Sequence, residues 1–163
     1  MVYNIAMNDS GSNSTFPWEG VVAKYLFSHS NAALSDSDRF VSMWIALNAW
    51  MKGQFGTKKT DRQLIDYTKD YRPINITFEY LRRSDMDFAE ALDSFSDCEI
   101  MNEKTSETFR YDGKFDSLFD TLYTLRGNTF HGTDMSGMNS TPHRLASDIL
   151  YRLLYKHCFP KSI

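Results

Sequence analysis

The chain has 163 residues, 42% hydrophobic and 15% aromatic, with a formal net charge of −3. That length suits one domain able to bury a sizeable core, and the apolar content excludes a disordered chain. The acidic balance argues against a domain that holds nucleic acid chiefly by a broad basic surface, and two cysteines are too few for a disulfide scaffold or a zinc site of paired ligands.

Residues 1–15 are rich in Ser, Asn and Gly and read as a flexible tail before a single domain over 16–163. They carry no basic stretch followed by an apolar one, so no secretory signal is expected, and no later run is apolar enough to span a bilayer. A cytoplasmic protein with no membrane partner is the expectation.

Pro17 suits a first helical position, and Trp18, Val21, Val22, Tyr25 and Leu26 follow at helical spacing. Around Ser35 and Asp38 lie several N-cap candidates. The apolar positions Phe40, Met43, Trp44, Leu47, Trp50 and Met51 then step by three and four, which predicts a second helix ending at Gly53. Thr60 caps a shorter helix over 61–71, closed before Pro73. Residues 74–82 and 86–95 read as one broken helix or two short ones, with the break near Ser84 and Asp85. Scattered apolar residues over 97–113 fit an irregular connection or a short hairpin, and are treated as a long loop. Phe115, Leu118, Phe119, Leu122 and Leu125 mark another long helix that Gly132 stops. After a loop over 134–141, Pro142 opens a last helix with Leu145, Ile149, Leu150, Leu153 and Leu154 on its stripe. The fold class predicted is all-α, an up-and-down helical bundle of four to five principal helices.

Charge is distributed unevenly. Residues 52–83 carry eight basic and four acidic side chains, whereas 84–121 carry three basic and eleven acidic. Either these are solvated helix faces, or Lys58, Lys59, Arg62, Arg82 and Arg83 help a polyanion approach.

The chemistry of interest lies in the stretch Leu122-Tyr123-Thr124-Leu125-Arg126-Gly127-Asn128-Thr129-Phe130-His131-Gly132. Arginine offers a permanent charge and a planar fork of donors for phosphate oxygens. Histidine gives or takes a proton near neutrality. On a regular helix, positions five apart lie roughly 140° apart around the axis, so Arg126 and His131 do not share a face. Either the helix ends before His131 or two copies meet about a two-fold axis so that both residue types converge. The other Arg-x4-His pair, Arg152 and His157, sits in the last amphipathic helix and reads as structural. Asn48 on the second helix's apolar stripe needs a hydrogen-bond partner, and either braces the Arg/His site or caps a loop. Trp44 and Trp50 read as core. Asp116 and Asp120 read as an exposed face and not as metal ligands; as a surface cation, Arg126 would pair with an acid such as Asp120 or Asp134.

The run Tyr123-x-x-Arg126-x-Asn128-x-Phe130-His131-Gly132 resembles the Arg-x4-6-His signature of the HEPN superfamily, in the Y-x-V-R-x-N-L-F-H-G version of bacterial members. Phe40-Val41-Ser42-Met43-Trp44-Ile45-Ala46-Leu47-Asn48-Ala49-Trp50 is similar to the F-x-x-L-W-I-A-F-N-A-L-Y helix that precedes it in such proteins. The two matches cover about a fifth of the chain, an extent that leaves each a hypothesis to be confirmed by structural context. The resemblance implies a HEPN-like bundle, dimerising through its motif-bearing helices, and often a metal-independent endoribonuclease serving as a toxin or defence factor. It makes Arg126 and His131 the catalytic pair, with Asn128, Asn48 and Tyr123 in support, no cofactor, RNA as partner and a protein regulator as a further one. Gly127 departs from the polar residue that follows the arginine in many HEPN enzymes. The alternative is a non-catalytic HEPN module that binds RNA, nucleotide or a protein.

Overall fold

A computed structural model of the chain describes residues 17–130 and 140–161. The expected tail, the Gly132 helix stop and most of the 134–141 loop lie outside the described residues. Among the described residues the structure is an all-α bundle of seven α-helices with one short hairpin. The helices are α1 (Trp18–Phe27), α2 (Asp36–Phe55), α3 (Asp61–Lys69), α4 (Arg72–Ser84), α5 (Met86–Ser96), α6 (Phe115–Phe130) and α7 (Thr141–Cys158). A single 3₁₀ turn, Ser28–Ser30, follows α1.

Helix boundaries follow side-chain chemistry. The Ser35 hydroxyl accepts from the Asp38 N–H at 3.1 Å and starts α2. Thr60 and Gln63 form a reciprocal capping box at α3, satisfying two N–H groups that a helix start leaves open. Pro73 stands in the first turn of α4, where its missing N–H costs nothing, and Asp85 both closes α4 and caps α5. The break expected near Ser84 and Asp85 is thus a junction of two helices.

Helices α2 and α7 form the centre, with α1 packed on α2 and with α4 and α5 packed on α7. The whole predicted stripe of α2 is buried, from Phe40 through Met43, Trp44, Leu47 and Trp50 to Met51, as are Leu145, Ile149, Leu150, Leu153 and Leu154 of α7. Burial of these apolar faces is the main drive for the bundle. Helix α6 lies against α3 and α2, contributing Phe115, Leu118, Phe119, Leu122 and Leu125 to the same core.

Two expectations are corrected. Helix α2 does not stop at Gly53 but runs on to Phe55, and the chain turns at Gly56, whose φ of +100° suits only glycine. Gly53 instead lets α1 approach: a Cβ there would fall deep inside van der Waals contact of the Trp18 indole. Residues 97–113 are not simply a long loop, because Glu99–Met101 (β1) and Thr108–Arg110 (β2) pair antiparallel, with Ile100 opposite Phe109. A two-stranded hairpin is marginal alone. Here it is fastened by Ile100, buried in the core, and by a side chain from α6.

Candidate functional site

Trp44 and Asn48 on α2, Asp61 on α3, and Tyr123 and Arg126 on α6 come together where these three helices meet. The Trp44 and Tyr123 ring centroids are 6.2 Å apart, and the Arg126 guanidinium carbon lies 5.9 Å from the Trp44 centroid, within cation–π range. The Asp61 carboxylate joins the group through both its oxygens: Oδ1 accepts from Asn48 Nδ2 at 3.0 Å, and Oδ2 pairs with Arg126 Nη2 at 2.9 Å. The Arg126 and Asp61 side chains are 27% and 28% exposed, so the pair is partly dry yet open to solvent.

Local structure explains the placement. Asp61 is the first residue of α3, and the Thr60–Gln63 box fixes the direction in which that turn starts. A carboxylate in a first helical turn also meets the positive end of the helix dipole. Asn48 is half-buried beside a wholly buried Leu47, and its bond to Asp61 satisfies the amide that the α2 stripe carries. Asp61 stands between Asn48 and Arg126 and bonds both.

Arg126 pairs with Asp61, an acid that the surface-cation reading did not name, and Asp134 lies outside the described residues. Asp120 is held by Lys69 Nζ at 3.0 Å and by Arg62 Nη1 at 3.5 Å, and Arg62 also meets Asp66 at 3.3 Å. Arg62 lies over the Tyr123 ring, 5.8 Å from its centroid. Three cations therefore face three carboxylates along this surface, and Arg82 is likewise paired, with Glu79 at 2.9 Å. Of the basic residues over 52–83, Arg62, Lys69 and Arg82 pair with acids of α3, α4 and α6.

Asn128 faces elsewhere. Its Oδ1 accepts from the Glu103 N–H at 3.2 Å, and its Nδ2 donates to the Met101 carbonyl at 2.6 Å. Both ends of the amide thereby latch the hairpin to α6. His131 lies outside the described residues.

A neighbouring histidine that the sequence reading passed over is His143, in the first turn of α7. The Thr129 hydroxyl donates to the Leu125 carbonyl at 2.7 Å, so its 3.0 Å contact with His143 Nε2 requires Nε2 to be the donor. The imidazole is buried, edge-on to Phe40 at 5.7 Å, and burial pulls its pKa below the ordinary value against a smaller opposing effect of Asp36. Only its spacing to Thr129 across an undecided loop could have signalled this, and spacing across a loop carries no geometry.

Arg152 and His157, the pair read as structural, both make contacts between helices. Arg152 joins Asp85 and Asp87 at 3.1 and 3.3 Å, while His157 Nδ1 contacts Thr77 Oγ1 at 2.8 Å and its ring stands edge-on to Trp50. Among the described residues, no group of three or more His, Cys, Asp or Glu side chains is placed to hold a metal ion, and no helix is long and apolar enough to cross a membrane.

No family model matches the chain, and no curated protein or solved structure is similar to it at a level that shows a relationship.

Proposed function

We propose that the protein is a HEPN-like, metal-independent endoribonuclease acting as a cytoplasmic homodimer, with Arg126 and His131 as its catalytic pair and a toxin or defence role. One observation carries this reading. The two stretches that separately resemble HEPN segments converge: Trp44 and Asn48 from the first, Tyr123 and Arg126 from the second, with Asp61 joining them.

RNA brings its own nucleophile, the ribose 2′-hydroxyl, so the protein has to hold the backbone in line, move protons and stabilise charge on the phosphate. Arg126 clamps the non-bridging oxygens. His131 moves a proton from the 2′-hydroxyl or to the 5′-leaving oxygen, a contribution of ~10²–10⁴-fold. The products are a 2′,3′-cyclic phosphate and a 5′-hydroxyl end. Positions five apart lie on different sides of a regular helix, so in this reading residues of a second copy complete the site.

The net charge of −3 and the carboxylate already on Arg126 favour a second reading, a non-catalytic module that binds RNA, nucleotide or a protein regulator. Labelled single-stranded RNA and tRNA, incubated with the protein in EDTA beside Arg126→Ala and His131→Ala, separate the two. Cyclic-phosphate fragments that vanish in both variants support the nuclease. Binding without cleavage, unchanged in His131→Ala, supports the module instead.

A further inference from the structure

We infer that Asp61 is the positioning residue for Arg126, held in its own place by Asn48; this rests on the nuclease reading of Arg126. An arginine side chain has many rotamers, and a clamp that is free to swing must give up that entropy each time it meets the transition state. In this structure much of that freedom is already removed. The Trp44 ring lies against the guanidinium, and Asp61 Oδ2 takes Nη2 at 2.9 Å.

The carboxylate is itself constrained from two directions. Its backbone opens α3 behind a capping box, and its Oδ1 receives the Asn48 amide at 3.0 Å. An ionised carboxylate only accepts hydrogen bonds, so the Asn48 atom facing it is the NH₂ group. The chain of contacts runs from α2 through α3 to α6, and its last member is the group that meets phosphate.

The charge of Asp61 has a second effect, opposite in sign to its benefit. A carboxylate at this distance offsets the guanidinium's attraction for a resting phosphate, and it is less exposed than the surface pairs that solvent screens to nothing. Removing the charge while keeping the shape therefore strengthens ground-state binding and loosens orientation. Those two changes move KM and kcat in the same direction, which is the signature of lost positioning and not of lost affinity.

The test compares Asp61→Asn, Asp61→Glu, Asn48→Ala and Arg126→Ala in steady-state RNA cleavage, at a temperature where thermal unfolding shows each to be folded. The expected result is a kcat lower by roughly 10- to 100-fold in Asp61→Asn with KM equal or reduced. Asp61→Glu, which keeps the charge, regains most of the loss, and Asn48→Ala shows a smaller fall. An Asp61→Asn protein with wild-type kcat overturns the inference. So does an equal loss in Asp61→Asn and Asp61→Glu that follows their melting temperatures, since that marks a plain interhelical pair. Wild-type protein with no cleavage that depends on Arg126 overturns the nuclease reading and this inference together, whereas Arg126-dependent cleavage indifferent to Asp61 overturns this inference alone.

Discussion

Asp61 and Arg126 pair at 2.9 Å across the meeting of α3 and α6, and the same carboxylate takes a hydrogen bond from α2. A planar fork suits that position better than a point charge. Arg126→Lys keeps the charge but loses the second donor nitrogen and the guanidinium that lies 5.9 Å from the Trp44 ring centroid. RNA cleavage is expected to fall about 100-fold or more while the melting temperature stays within a few degrees. Initial rates on a labelled oligonucleotide check it, and a lysine variant with near wild-type turnover would show that only charge matters at this place.

Gly53 lies beneath the Trp18 indole, so Gly53→Ala sets two effects against each other. Alanine gains up to ~1 kcal/mol of helix propensity. The new methyl meets the stiff body of a ring and not a flexible tip, and overpacking of this kind costs about 1–3 kcal/mol. Net destabilisation is the expected outcome, read from the denaturant midpoint. Trp18→Ala in the same chain should relieve the clash, so that the double variant is more stable than the sum of the single changes predicts.

Stability should decline on mild acidification. Burial holds the His157 imidazole down to about 4, and His143 is lowered by the same cause. In the unfolded chain both return to about 6.5. Above that pH both are neutral in either state and the full stability is present. As pH falls from ~6.5 towards about 4, the unfolded chain binds protons that the folded one refuses, and stability is lost. Unfolding measured at steps between pH 7.5 and 4.5 should show this slope, reduced by up to ~1.4 kcal/mol per pH unit in His157→Gln. An unchanged slope in that variant would assign the acid sensitivity elsewhere.

Asn128→Ala removes two hydrogen bonds to the hairpin backbone and is expected to cost about 1–2 kcal/mol. Asn128→Asp keeps an acceptor for the Glu103 N–H but sets a carboxylate oxygen against the Met101 carbonyl, so it should loosen the hairpin as much or more. Hydrogen exchange over 99–110 reports both. Protection equal to wild type in the two variants would mean that Ile100 alone fastens the hairpin.

What could be read from the sequence was local. Apolar periodicity found all the large buried residues of α2, though not Ala46 and Ala49, and Ser35, Thr60, Pro73 and Asp85 marked helix ends because capping is a matter of adjacent residues. Gly53 misled because a glycine that ends a helix and one that admits a crossing partner look alike until the partner is known. Asp61 could not be singled out among 21 acidic residues as the partner of Arg126, since nothing in chain order says that the start of α3 faces α6. Asn128 shows the same limit from the other side. Its place beside Arg126 in the sequence suggests the phosphate, while its amide is committed to the hairpin.

The corner at Asp85 has no slack. Its N–H bonds the Leu81 carbonyl, its carbonyl takes the Ala89 N–H, and its carboxylate takes both the Phe88 N–H and the Arg152 guanidinium of α7. A residue inserted there would advance α5 by about 100° and turn Phe88, Leu92 and Phe95 away from the interior. The joint between the 3₁₀ turn and α2 is exposed from Asn31 to Ala33, and its hydrogen bonds stay within that turn, the joint and the first turn of α2. Length variation among any descendants of this chain is therefore expected to collect at that joint, with the Asp85 corner keeping its spacing to the residue.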